Sequence, residues 1–86
     1  LAHAHYFELS VALLANQRLD ESAAFLGAAI QLAPEYYLYA LWALQCPCQD
    51  EWNKAIAERV FAVFDHLTSY PKLIKALCAL HQKGIA

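Results

Sequence analysis

The sequence predicts an all-α fold of about five helices. Three observations carry this expectation. Apolar residues recur at steps of three and four through every long segment. No segment alternates apolar and polar residues over a useful length, so no sheet is expected. Asn16-Gln17, Pro34, Cys46-Pro47-Cys48, Tyr70-Pro71 and Gly84 cut the pattern into pieces of helical length.

The first helix, residues 2–15, is apolar at Tyr6, Leu9, Leu13 and again at Phe7, Val11, Leu14, a stripe wider than one face. Asn16-Gln17 closes it, because Asn tolerates the left-handed backbone of a helix end. Asp20 is the candidate N-cap of a second helix, about 20–33, with Glu21 near its positive end. No charge interrupts residues 22–34, so this helix is expected to be the most buried. Pro34 suits the first turn of a third helix, about 35–45. Its Tyr36, Tyr37 and Tyr39 cannot all be interior without hydrogen-bond partners, so some of these rings line a surface. Pro47 disfavours helix for itself and for Cys46. Asp50 then caps a fourth helix, about 51–67, striped by Trp52, Ile56, Val60, Val63 and Leu67. Tyr70-Pro71 starts a fifth, about 71–82, with Leu73, Ile74, Leu77 and Leu80 on one side and Gly84 at its close. Short connections make consecutive helices antiparallel neighbours.

Residues 6–34 resemble one unit of the tetratricopeptide-repeat family, a pair of antiparallel helices recurring about every 34 residues. The family favours a large residue, Leu and a small residue in the first helix, which Tyr6, Leu9 and Ser10 match. It then favours a polar turn, an acidic pair and a small residue, matched by Gln17, Asp20-Glu21 and Ser22. Leu26, Ala29 and Pro34 complete the pattern. On this resemblance the chain is one domain, 1–86, with a first repeat at 3–34, an irregular second at 35–70, and the first helix of a third at 71–86. Pro34 and Pro71 stand further apart than one repeat, and Cys46-Pro47-Cys48 replaces the usual tight turn.

The resemblance implies antiparallel pairs stacked as a short right-handed superhelix, with a concave face that holds another protein. The groove positions on the first helix are Phe7, Val11 and Leu14. None is Lys or Asn, so no clamp on a terminal carboxylate is expected. An apolar groove suits an amphipathic helix or an aliphatic segment. Small tetratricopeptide chaperones of bacterial secretion systems shield the apolar face of an export substrate in this way. Tyr37, Tyr39 and Trp42, from the aromatic third helix, join Phe7, Val11 and Leu14 as the predicted partner-binding residues. Trp52, on a clean stripe, is expected in the core.

Composition points the same way. Of 86 residues, 60% are hydrophobic and 16% charged, against roughly 45–50% and about 25% in an average domain. So small a chain has more apolar side chain than its thin core hides. The surplus marks either a docking face or a fragment that packs on neighbouring repeats or on its own copy. The net charge is −2, and of six Lys and Arg only Arg18 precedes Lys54. The absence of a basic stripe argues against nucleic acid and anionic membrane as partners. The uncharged runs Ser22–Pro34 and Tyr36–Gln49 are shorter than the roughly 18 residues a spanning helix needs. Neither terminus resembles a signal peptide, and the opening inside a helical pattern reads as a trimmed piece. Three cysteines are an odd count, and Cys46 and Cys48, flanking one Pro, are poorly spaced for a mutual bridge. A reducing, cytoplasmic compartment follows.

His3, His5, Cys46, Cys48, His66, Cys78 and His81 raise a metal reading, and Cys78 and His81 lie one helical turn apart. A Cys-X-Cys without a second close pair is a weak signal for a site needing about four donors. The plainer expectation is a buried thiol at Cys78, a surface His81, two loop cysteines and no metal or cofactor. A thiol or metal sensor built on Cys46 and Cys48 is the reading from another class. No Gly-framed nucleophile or phosphate-cradling loop occurs. Asp20-Glu21 and Asp50-Glu51 sit at helix starts, where capping accounts for them. The chain is therefore expected to be a non-catalytic interaction module.

Overall fold

The computed structural model describes all residues, 1–86. Five α-helices carry the chain: α1 Ala2–Ala15, α2 Leu19–Leu32, α3 Leu38–Gln45, α4 Asp50–Val63 and α5 Pro71–Gln82. A 3-10 turn, Leu67–Ser69, precedes α5, and no strand is present. Tyr6 meets Phe25 while Ser10 meets Ser22, so α1 and α2 run antiparallel. α2 packs on α4, α3 on α4, and α3 on α5.

Two boundaries move from their sequence positions. α3 begins at Leu38, not near 35, because Ala33 is held at φ −140°, ψ 69° before the Pro34 ring, which disfavours helix there. Pro34 and Glu35 form a turn instead, closed by the Tyr36 N–H on the Ala33 carbonyl at 3.0 Å. α4 ends at Val63, not 67. Phe64 leaves the helix at φ −90°, ψ 110°, and its buried ring meets Tyr70 edge-on at 5.1 Å. Phe64 thus completes the stripe of Trp52, Ile56 and Val60, whereas Val63 and Leu67 are only half-buried. Asp20 and Asp50 lie inside first turns rather than at N-caps, and neither helix has a side-chain cap bond. Their contribution is charge near the helix start. The N-cap of α2 is Arg18, whose guanidinium bonds Glu21 at 2.8 and 2.6 Å and holds that carboxyl below its usual range.

The core is drawn from Leu26, Ala29 and Ile30 of α2, Ala40, Ala43 and Leu44 of α3, Trp52, Ile56, Ala57 and Val60 of α4, and Leu73, Leu77 and Leu80 of α5. Fully buried alanines at the crossings let helix backbones approach. Gly27 makes room for a side chain instead: a Cβ there would stand 3.0 Å from Nε of Arg59, whose guanidinium donates to Gln31 at 2.9 Å. Burial does not single out α2 as the sequence predicts: α2 and α4 each bury five of fourteen residues, while the short α3 buries four of eight.

At the meeting of α1, α2 and α4 the interior is polar. Ser10 and Ser22 are fully buried. Ser10 Oγ donates to the Ser22 carbonyl at 2.8 Å, and Ser22 Oγ returns a bond to the Ser10 carbonyl at 2.9 Å. Each hydroxyl proton is thereby used, so the lone pairs of Ser22 Oγ are free to accept from Trp52 Nε1 at 3.1 Å. Asn53 does similar work at the end of α3, where its Nδ2 donates to the carbonyls of Ala43 and Cys46 at 3.0 and 3.1 Å. The Ala43 carbonyl also takes the Cys46 N–H at 3.3 Å and the Cys46 carbonyl the Cys48 N–H at 2.8 Å, so the Asn53 amide reinforces the backbone bonds that close the helix end. No buried side-chain polar atom lacks a partner.

α1 and α5 end alike. After α1, Gln17 takes φ 62°, its N–H bonds Leu14 O, and the Arg18 N–H bonds Leu13 O. After α5, Gly84 takes φ 79°, its N–H bonds His81 O, and the Ile85 N–H bonds Leu80 O. Both are Schellman closures, but one puts a side chain where glycine is favoured. Gln17, not Asn16, thus holds the left-handed position; Asn16 stays at φ −97° and returns its Nδ2 to Ala12 O at 2.8 Å.

Two stability measurements follow. Gln17→Gly raises the unfolding free energy by about 0.5–1 kcal/mol and Gly84→Ala lowers it by a similar amount; denaturant titration reads both, and a destabilising Gln17→Gly contradicts the closure described. Ser22→Ala strands the buried indole N–H and costs about 1–3 kcal/mol. Trp52→Phe costs less in the Ser22→Ala background than alone, by about 1 kcal/mol, whereas independent sites add within about 0.5 kcal/mol.

Candidate functional site

Phe7 of α1, Tyr39 and Trp42 of α3, Tyr36 before α3 and Trp52 of α4 form one continuous aromatic cluster. Phe7 stacks on Tyr39 at 4.6 Å and meets Trp42 edge-on at 5.4 Å. Trp42 in turn stands perpendicular to Trp52 at 6.2 Å. Tyr36 stacks on Tyr39 at 4.7 Å, and His3 Nδ1 shares a hydrogen bond with the Tyr39 hydroxyl at 2.9 Å. Trp42 remains 38% exposed and Val11 37% exposed. Phe7, Val11 and Leu14 follow at steps of four and three along one side of α1. Phe7 and Leu14 are half-buried against the core.

The cluster unites three of the six predicted residues, Phe7, Tyr39 and Trp42, and the α1 stripe adds Val11 and Leu14. Two positions differ from the sequence reading. Tyr39 is only 8% exposed and belongs to the core, where it supports the face instead of presenting itself to a partner. Burial, and after it the charges of Tyr36 and Glu8, push its phenol upward, so it stays neutral and hydrogen-bonded to His3. Tyr37 turns to the other side of α3, where it meets Tyr70 at 5.6 Å. Tyr37 is the N-cap of α3 and Tyr36 lies in the turn before it, so the two adjacent rings take different neighbours, Tyr39 for Tyr36 and Tyr70 for Tyr37. Tyr36 and His3 are members that sequence reasoning did not assign. Tyr36 was one of three adjacent candidates, and nothing local marks His3 as its neighbour across 33 residues of chain.

A second feature is a cleft of about 680 Å³ between the end of α3, the 46–49 loop and α5, whose walls include Cys46, Cys48, Asp50, Lys72, Lys75 and Lys83. A third is a shallow apolar groove across α4 and α5, with Phe61, Leu67, Ile74, Leu77, Cys78 and His81 on its walls. Phe61 is 59% exposed there. Cys78, expected as a buried thiol, is exposed, because it lies off the Leu73, Leu77 and Leu80 row. All three cysteines are free. No group of three or more His, Cys, Asp or Glu side chains is placed to hold a metal ion. No helix is long and apolar enough to cross a membrane. Comparison with protein-family models, curated proteins and solved structures finds no match for this chain.

Proposed function

We propose that the chain is a non-catalytic interaction module, a tetratricopeptide-like stack of helix pairs that takes an amphipathic helix or apolar segment of a partner protein. The observation that carries this is Trp42: a large ring, half open to water, held by Phe7 and Trp52 and continued along α1 by Val11. A pre-set aromatic anchor loses little entropy on binding, and buried aromatics supply much of the energy where proteins meet. The packing of α2 on α4 and of α3 on α5 supports stacked pairs. Covering a partner's apolar helix in this manner is a chaperone's task, and we infer a cytoplasmic one.

A second reading, self-association or packing on further repeats, draws support from the Phe61 groove. Within the chain α4 packs against both α2 and α3. A further helix over α4 and α5 would cover Phe61, Ile74 and Cys78. Phe61→Glu abolishes dimers in sedimentation velocity under this reading and leaves a monomer unchanged under the first.

The test of the first reading is calorimetric titration with a helical peptide bearing leucines at i, i+3, i+4 and i+7, against a scrambled control. Trp42→Ala weakens binding by about 2 kcal/mol or more, and Val11→Asp weakens it similarly, with helical circular dichroism retained. Equal affinity of parent and variants removes the face from consideration.

A further inference from the structure

The cleft beside α5 plays no part in the function proposed above. Its volume of about 680 Å³ falls within the range of small-molecule sites. Cys46 and Cys48 line it together with Lys72, Lys75 and Lys83, and Asp50 is the one acidic residue on its walls. None of these lysines is ion-paired, the single salt bridge being Arg18–Glu21. Half of the six Lys and Arg thus surround one cleft of a chain whose net charge is −2.

The two thiols are also arranged for each other. The Cys48 N–H donates to the Cys46 carbonyl at 2.8 Å, the i→i+2 bond of a γ-turn about Pro47. Fully extended, such residues stand about 7 Å apart, the outer limit for a disulfide; the turn shortens that span. The spacing that looks unfavourable in sequence therefore becomes bridgeable. Asn53 Nδ2 holds the same Cys46 carbonyl at 3.1 Å, which pins the turn to α4. Burial, and then the neighbouring Cys48, push the Cys46 thiol up.

We propose that this cleft is a thiol–disulfide exchange site for small, negatively charged disulfides, with Cys46 and Cys48 as the reacting pair and Lys72, Lys75 and Lys83 as the attracting rim. One thiolate attacks a sulfur of the disulfide; its S–S bond breaks, one thiolate leaves, and a mixed disulfide forms on the protein. The second protein thiol loses its proton to water and attacks the protein sulfur of that mixed disulfide. It expels the second small thiolate and closes the Cys46–Cys48 bridge. The protein gives up two electrons and two protons, and the disulfide takes them up as two thiols.

The test follows coloured thiolate release from dithiobis(nitrobenzoate), a dianion, and from neutral dithiodipyridine, using Cys78→Ser protein so that only the pair reacts. Lys72→Gln, Lys75→Gln and Lys83→Gln together slow the dianion about tenfold and leave the neutral reagent unchanged. High salt has the same selective effect on the protein with its lysines intact. Intact mass shows the two cysteines joined and no reagent attached. Equal slowing of both reagents, or slowing of neither, overturns the charged rim. Two reagent groups retained per chain overturn the reacting pair.

Discussion

The arrangement of this molecule depends on the hydrogen bonds among Ser10, Ser22 and Trp52. Apolar burial has no direction, and helices rich in alanine pack almost as well after sliding along one another. The serine pair removes that freedom. A slip of α1 on α2 by one turn, about 5.4 Å, would leave two fully buried hydroxyls facing methyl groups. Trp52 brings α4 into the same register and has its ring plane fixed in return. Trp42 stands on that ring, Phe7 on Trp42, and Tyr39 on Phe7. The half-open aromatic face is therefore the outward end of a chain of contacts that begins in a dry polar core.

α1 explains why the face lies where it does. Its single buried residue is Ser10; every other side chain keeps some exposure. α2 has α1 on one side and α4 on another, whereas α1 packs along α2 and meets α3 through Phe7 and His3, with Leu9 and Val11 left exposed. A helix with apolar residues on more sides than its neighbours cover must show the remainder to water or to another molecule. Much of the exposed apolar surface thus lies along α1 with Trp42 and around Phe61, with Leu32 and Leu38 also exposed where α2 leads into α3.

Helix number, type and most boundaries were legible because the apolar rows and the punctuating residues agree. The exceptions occur where local and tertiary preferences compete. Pro34 is acceptable at a helix start and in a turn, and here the Tyr36 N–H closes a turn on the Ala33 carbonyl while the Tyr36 ring stacks on Tyr39. Val63 and Phe64 both continue an apolar row, and the Tyr70 ring decides for Phe64. Trp52 was readable as core since its row was unambiguous. Ser10 and Ser22 were readable as small residues at a close crossing, but not as a reciprocal pair, because their partners lie on other helices. The face itself was partly legible. Phe7 and Trp42 stand where their spacing implied, while Tyr37 and Tyr39, in a run of adjacent rings, could be sorted into sides only by the packing of α3. The cleft was legible only in its thiols, Cys46 and Cys48, which the sequence offers as a sensor pair; its lysines are spread along α5 and beyond and make no basic cluster in sequence.

α3 joins these features. With eight residues it is too short to persist on its own propensity. Burial of Ala40, Ala43 and Leu44 holds it in place, and Asn53 takes its last carbonyls. Tyr39 and Trp42 occupy its first turns and Cys46 caps its end, one turn beyond Trp42. The aromatic anchor and the thiol turn therefore rest on the same two turns of helix, and both answer to one buried amide. In a longer helix the loss of a terminal turn would be absorbed before it reached the ring. Here the cap and the anchor are neighbours, so the stiffness of the face is set by how firmly Asn53 closes α3.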